Sequence, residues 1–131
     1  MTDPRDLGGT WYGRYEGADG VQSNQFIARL SERDGALSGT ISEPDDLGLE
    51  PVRRALVSGR RDGAGVAFVK QYDGEVLVHA VDYRGTVDPR GTEVRGDWSF
   101  ADYAGSFAMT RERFDADELA EAVGDEAEVA R

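Results

Sequence analysis

The chain has 131 residues, a formal charge of −11 from 26 acidic and 15 basic side chains, and no cysteine. That size suits one domain with a single core; the missing thiols exclude disulfides and thiolate metal sites, and the acidity disfavours nucleic acid and anionic membranes as partners. The opening MTDPRDLGG lacks the basic and apolar regions of a secretory leader and no apolar run approaches a membrane span, so a soluble, cytoplasmic protein is expected.

From Gly9 onward, short runs rich in β-branched and aromatic residues alternate with turn signals. The first run, 9–17, puts Trp11, Gly13 and Tyr15 on one face; after Asp19-Gly20 the second, 25–33, does the same with Phe26, Ala28 and Leu30. Asp34-Gly35 leads into 36–43, with Leu37, Gly39 and Ile41 on one parity, and the longest connection, 43–51, follows. Runs 52–60 and 65–72 flank Asp62-Gly63, and the second of them aligns Val66, Phe68, Lys70 and Tyr72. Beyond Asp73-Gly74, run 75–87 aligns Leu77, His79, Val81 and Tyr83. The turn 87–91 then separates it from 92–100, with Val94, Gly96 and Trp98, and from 104–113, with Phe107, Met109 and Arg111.

Asp-Gly pairs supply the positive φ of tight hairpins, so the sequence predicts an all-β, eight-stranded, antiparallel up-and-down meander that closes into a barrel. Glycines at inward positions Gly13, Gly39 and Gly96 relieve crowding where a sheet coils tightly, which favours closure over an open sandwich. Residues 1–113 form this barrel domain, and 114–131 form an acidic helix and tail. Asp115 is placed to cap that helix with Glu118 three positions on, Phe114 and Leu119 can staple it, and Gly124 can end it. Residues 115–131 hold seven acids and one arginine, so much of the negative charge belongs to this segment. Outward Ile27, Val69 and Val78 put apolar residues on both faces of their strands, which predicts that part of the outer wall is covered, by the helix or by a second subunit in a homo-oligomer.

The stretches GTWY, FIARL, DGALSGT, VSGR, VAF and EVRGDW, in that order over most of residues 8–111, resemble the avidin and streptavidin branch of the calycin superfamily of small β-barrels. In that superfamily the first-strand Trp packs near the closed end with a last-strand Arg laid across it. The resemblance therefore implies a structural plug made of Trp11 with Arg111 or Arg113. Avidins hold biotin through an Asn on the first strand, a Tyr at the end of the third and small hydroxyl residues on the middle strands. The matching positions here are Gly13, Ile41, and His79 with Val81, so the biotin contacts are not retained. Aromatic walls alone do not offset desolvation of a ureido group.

The candidate site follows from the inward parity. Phe26, Phe68, Tyr83, Trp98 and Met109 would bound a cavity for a small, mostly apolar ligand, with loop 43–51 near its entrance. If Lys70, His79 and Arg111 converge, that ligand carries a carboxylate or another anionic group; otherwise Lys70 snorkels at the rim or pairs with an acid such as Glu43, and Arg111 covers Trp11. His79, the single histidine, is a hydrogen-bonded core residue or a proton-transfer group. Two alternatives stand beside the container. One is a barrel enzyme of isomerase or cyclase type that uses His79 or Lys70; the other is a filled barrel that works as an oligomerisation or protein-interaction module. No cofactor or metal is expected: EPDDLG lacks the spacing of a calcium loop, the glycines at 63–65 lie in a hairpin turn, and Asp82 and Asp97 point outward.

Overall fold

A computed structural model describes residues 3–18, 23–44, 52–72 and 80–111. Eight strands run in chain order: β1 (Gly9–Gly17), β2 (Ser23–Arg33), β3 (Ala36–Pro44), β4 (Val52–Asp62), β5 (Gly65–Tyr72), β6 (Ala80–Val87), β7 (Glu93–Phe100) and β8 (Tyr103–Thr110). Each pairs antiparallel with its sequence neighbours, and β8 returns to β1 in a register running from Tyr12 opposite Thr110 to Gly17 opposite Gly105. The sheet is therefore a closed barrel with no free edge.

Period-two alternation decides which side of this wall each residue faces. Along β5 the burial alternates residue by residue, with Val66, Phe68, Lys70 and Tyr72 inside. Trp11, Phe26, Ile41, Tyr83, Val94, Trp98 and Met109 join them in one interior cluster. Within the β6–β7 seam, Gly85 of β6 faces Gly96 of β7. A Cβ on Gly96 would lie 1.9 Å from the Arg84 carbonyl oxygen, so only glycine permits that approach of two backbones.

Turn chemistry accounts for two of the connections. Asp34 and Gly35 both have positive φ, 53° and 82°, as the two-residue β2–β3 hairpin demands. Between β7 and β8 the left-handed residue is Ala101, with φ of 52°. Alanine gives no turn signal, which explains why β8 starts at Tyr103, one residue before the predicted run. That strand ends at Thr110; the Arg111 amide beyond it still donates to Thr92 O at 3.0 Å while its side chain crosses the barrel floor, and positions 112 and 113 of the predicted run lie outside the described residues. β4 extends two residues past the predicted 60 to Asp62, since Arg61 and Asp62 still pair with Val66 and Gly65. The predicted helix 114–124, Arg113, His79 with Leu77 and Val78, the Asp19-Gly20 and Asp73-Gly74 turns, and loop positions 45–51 lie outside the described residues. No helix among the described residues is long and apolar enough to cross a membrane.

Candidate functional site

The two ends of the barrel differ in chemistry. At the end where β1 begins, Trp11 is fully buried and its indole Nε1 donates to the Leu7 carbonyl at 2.9 Å, with Leu7 itself buried beneath. The Arg111 guanidinium lies 4.3 Å from the Trp11 ring centroid. It donates through Nε to Gly91 O at 2.8 Å and through its two terminal nitrogens to the carbonyls of Gly8 and Asp6. A cation over an indole face, with its donors on backbone carbonyls of the segment before β1 and of the β6–β7 turn, forms a floor. Nearby, Glu32 receives a two-pronged contact from Arg61, 2.7 and 2.9 Å, and accepts the Leu7 amide, which anchors the segment leading into β1.

The opposite end holds a buried ionic network. Glu43, at the inward parity of β3 after Leu37, Gly39 and Ile41, is 2% exposed. Its Oε1 accepts from the Tyr72 hydroxyl at 2.5 Å and the Tyr15 hydroxyl at 3.2 Å, and lies 3.3 Å from Nη2 of Arg53. Its Oε2 accepts from Lys70 Nζ at 3.2 Å. Lys70 is equally buried, and its ammonium sits 4.6 Å from the ring centroids of both Tyr15 and Tyr72 and 5.3 Å from that of Tyr83. Asn24 donates to the Tyr15 hydroxyl and to Pro44 O, tying β2 to the group.

Burial, followed by the Glu43 carboxylate, drives the phenols of Tyr72 and Tyr83 far above the ordinary tyrosine value. The same two causes raise Tyr15. All three rings therefore stay neutral, and the hydroxyls of Tyr15 and Tyr72 remain donors to Glu43. The arrangement can orient a polar group against aromatic side chains and hold a chain of hydrogen bonds around one carboxylate. Among the described residues no three histidine or acidic side chains gather as metal ligands.

Below the network the aromatic residues pack against one another. Phe68 and Tyr83 stack at 4.9 Å with an interplanar angle of 6°, and Phe107 stands edge-on to both. Trp98 meets Tyr15 edge-on at 6.1 Å and donates its indole N–H to Glu16 O. Phe26 and Met109 enclose Gly13, where a Cβ would come within 2.3 Å of the Phe26 ring. The structure thus brings Phe26, Phe68, Tyr83, Trp98 and Met109 into one interior and places Lys70 with Glu43. It does not bring Lys70 and Arg111 together. The first belongs to the network at the end where β5 finishes, whereas Arg111 follows β8 and lies on the opposite floor. In an antiparallel meander, odd strands finish at one end and even strands at the other.

Sequence reasoning missed Arg53, Asn24 and the cage role of Tyr15 and Tyr72. Arg53 shares the inward parity of Ala55 and Val57, a signal that was present but unassigned for the fourth run. Asn24 lies in β2, which begins two residues before the predicted run.

No protein-family model and no curated protein matches the chain. Among solved structures it is similar to a redesigned β-barrel, with a TM-score of 0.70 and 17% identity over 85% of this chain and 96% of that one. It is also similar to a de novo designed fluorescence-activating β-barrel, with a TM-score of 0.62 and 17% identity over 86% of this chain and all of the other. At that identity the likeness shows the fold alone: an eight-stranded, closed, antiparallel β-barrel, an architecture compatible with a small ligand inside.

Proposed function

We propose that the chain is a non-catalytic container for a small, mostly apolar molecule whose polar group meets the Glu43–Lys70–Tyr72–Tyr15 network at the end of the barrel away from Trp11. The observation that carries this reading is the placement of buried charge. One floor is closed by Trp11 and Arg111, while the other end places a carboxylate, an ammonium and a guanidinium against aromatic walls. Buried ion pairs contribute little to stability compared with apolar residues of the same volume, so their presence in a barrel core favours a binding role. The avidin-like sequence pattern supports a container but not biotin, since Gly13 and Ile41 stand where that chemistry needs Asn and Tyr.

The test pairs ligand detection with removal of the network. Native mass spectrometry of freshly purified protein is expected to show a retained small molecule. A thermal-shift screen of aromatic and aliphatic acids, alcohols and amines should find a stabilising compound, by about 2.7 kcal/mol at 100 times its dissociation constant. Glu43→Leu combined with Lys70→Met is expected to keep the fold at near wild-type stability and to lose that shift, whereas Glu43→Gln alone leaves Lys70 unpaired by charge and costs about 3 kcal/mol. A double variant that is several kcal/mol less stable, or that keeps the ligand shift, makes the network structural and ends the proposal.

A further inference from the structure

A groove of about 680 Å3 crosses the outer wall. Its lining runs from Glu93 and Arg95 of β7 to Val52 of β4, and its middle crosses four strands: Thr110 of β8 faces Tyr12 of β1, Tyr12 faces Ile27 of β2, and Ile27 faces Ser42 of β3. Tyr12 is 60% and Ile27 40% exposed, and Val52 at the far side is 42% exposed. Large apolar side chains left exposed together in one concave surface, with charged residues at its borders, mark a site for a covering element.

We propose that this groove seats residues 114–124 of the same chain as an amphipathic helix lying across β8, β1, β2 and β3. Reach, length, pattern and charge agree on that occupant. Arg111 follows Thr110 directly, and the three residues 112–114 span up to about 10 Å, enough to return from the barrel floor to the outer wall beside Tyr12. An eleven-residue helix is about 16 Å long; three steps between adjacent strands cover about 14 Å. Ala116, Leu119, Ala120 and Val123 recur at the spacing of one helical stripe, with Asp117, Glu118 and Glu121 off it.

The electrostatics are complementary as well. Residues 115–131 carry seven acids against one arginine. Arg14 and Arg95 line the groove and Arg54 flanks it beside Ser42. Of the local carboxylates, Glu16 at 3.7 Å from Arg14 and Glu93 at 2.5 Å from Arg95 form exposed pairs that are held weakly, and Glu43, which also lines the groove, is matched from inside by Lys70 and Arg53, so the local balance with Arg54 stays basic. A second copy carries the same segment but could offer it only in trans, without the short tether after Arg111 that holds the segment at high local concentration beside its own groove.

The absence of cysteine makes the test direct. Ala122→Cys in the full chain gives a unique attachment point for a nitroxide, placed beside the apolar stripe rather than on it. Paramagnetic broadening is expected to reduce the amide signals of Tyr12, Ile27 and Ala108 by at least half while sparing Val69 and Arg84 on the far wall. Adding Ile27→Asp, a change at an exposed position that the barrel tolerates, is expected to abolish the broadening with the remaining spectrum intact. Mixing spin-labelled, isotopically silent chain with unlabelled, isotopically enriched chain is expected to give none. Uniform or absent broadening in the first experiment, broadening that survives Ile27→Asp, or broadening in the mixture, which would make a second copy the occupant, each overturns the proposal.

Discussion

At the scale of single residues, the network and the turns separate what sequence pattern can reveal from what it cannot. Lys70 and Glu43 both fall on the inward parity of their strands, so their burial is legible from alternation alone. Their pairing is only partly so, because it needs the β3–β4–β5 registers that bring the two side chains to one end of the barrel. Ala101 is the opposite case, since nothing in its residue type announces a left-handed conformation. A non-glycine residue there costs about 1–2 kcal/mol of backbone strain, whereas glycine is permissive. Ala101→Gly is therefore expected to stabilise the barrel by about 1 kcal/mol, the strain relief less the added chain entropy of the unfolded state. Urea denaturation reads it as a higher midpoint at unchanged slope.

At the scale of strands, the meander was readable because each run alternates and most runs are bounded by glycine-containing turns. Boundaries were less readable, because β4 continues through arginines whose ladder partners, not their polarity, keep them in the sheet. Close packing of neighbouring strands depends on the glycines that face inward. Gly96→Ala would place a methyl group against the Arg84 carbonyl and the Gly85 Cα, both backbone atoms that cannot swing aside. The expected result is a loss of about 2–3 kcal/mol, as for overpacking in a rigid core. Chemical denaturation checks it, with Gly63→Ala as the comparison: nothing crowds that position, so its cost is confined to the left-handed backbone, φ 60°.

At the scale of the whole molecule, stability should fall at both pH extremes for separate reasons. Burial pushes the Glu32 carboxyl up, but the Arg61 guanidinium and the Leu7 amide outweigh it and hold Glu32 below its ordinary 4.5. Asp88 behaves similarly: burial raises it, while the Thr92 hydroxyl and the amides of Glu93, Thr92 and Gly91 bring it below 3.8. A lowered carboxyl contributes stability that is full above its unfolded value and lost as pH falls through its folded one. Acid unfolding is thus expected to begin near pH 4.5 and to flatten in Glu32→Gln. The three raised tyrosines act in the other direction. Their contribution is full below the ordinary value of 10.0 and declines as pH climbs past it, because only the unfolded chain ionises. Phenolate absorbance from Tyr15, Tyr72 and Tyr83 should appear together with loss of structure, and early separate ionisation would contradict their placement.

Seven of the eight seams join consecutive strands; only β1 with β8 brings distant parts of the chain together. Hairpins cost little loop-closure entropy, and the circular seam costs the most, so it should form last on the way in and part first on the way out. Arg111, holding the carbonyls of Asp6, Gly8 and Gly91 at once, is the latch on that seam. Loosening it with Arg111→Lys should shorten the lifetime of the native ring several-fold while leaving the refolding rate almost untouched, which makes this one side chain a determinant of kinetic persistence more than of assembly speed.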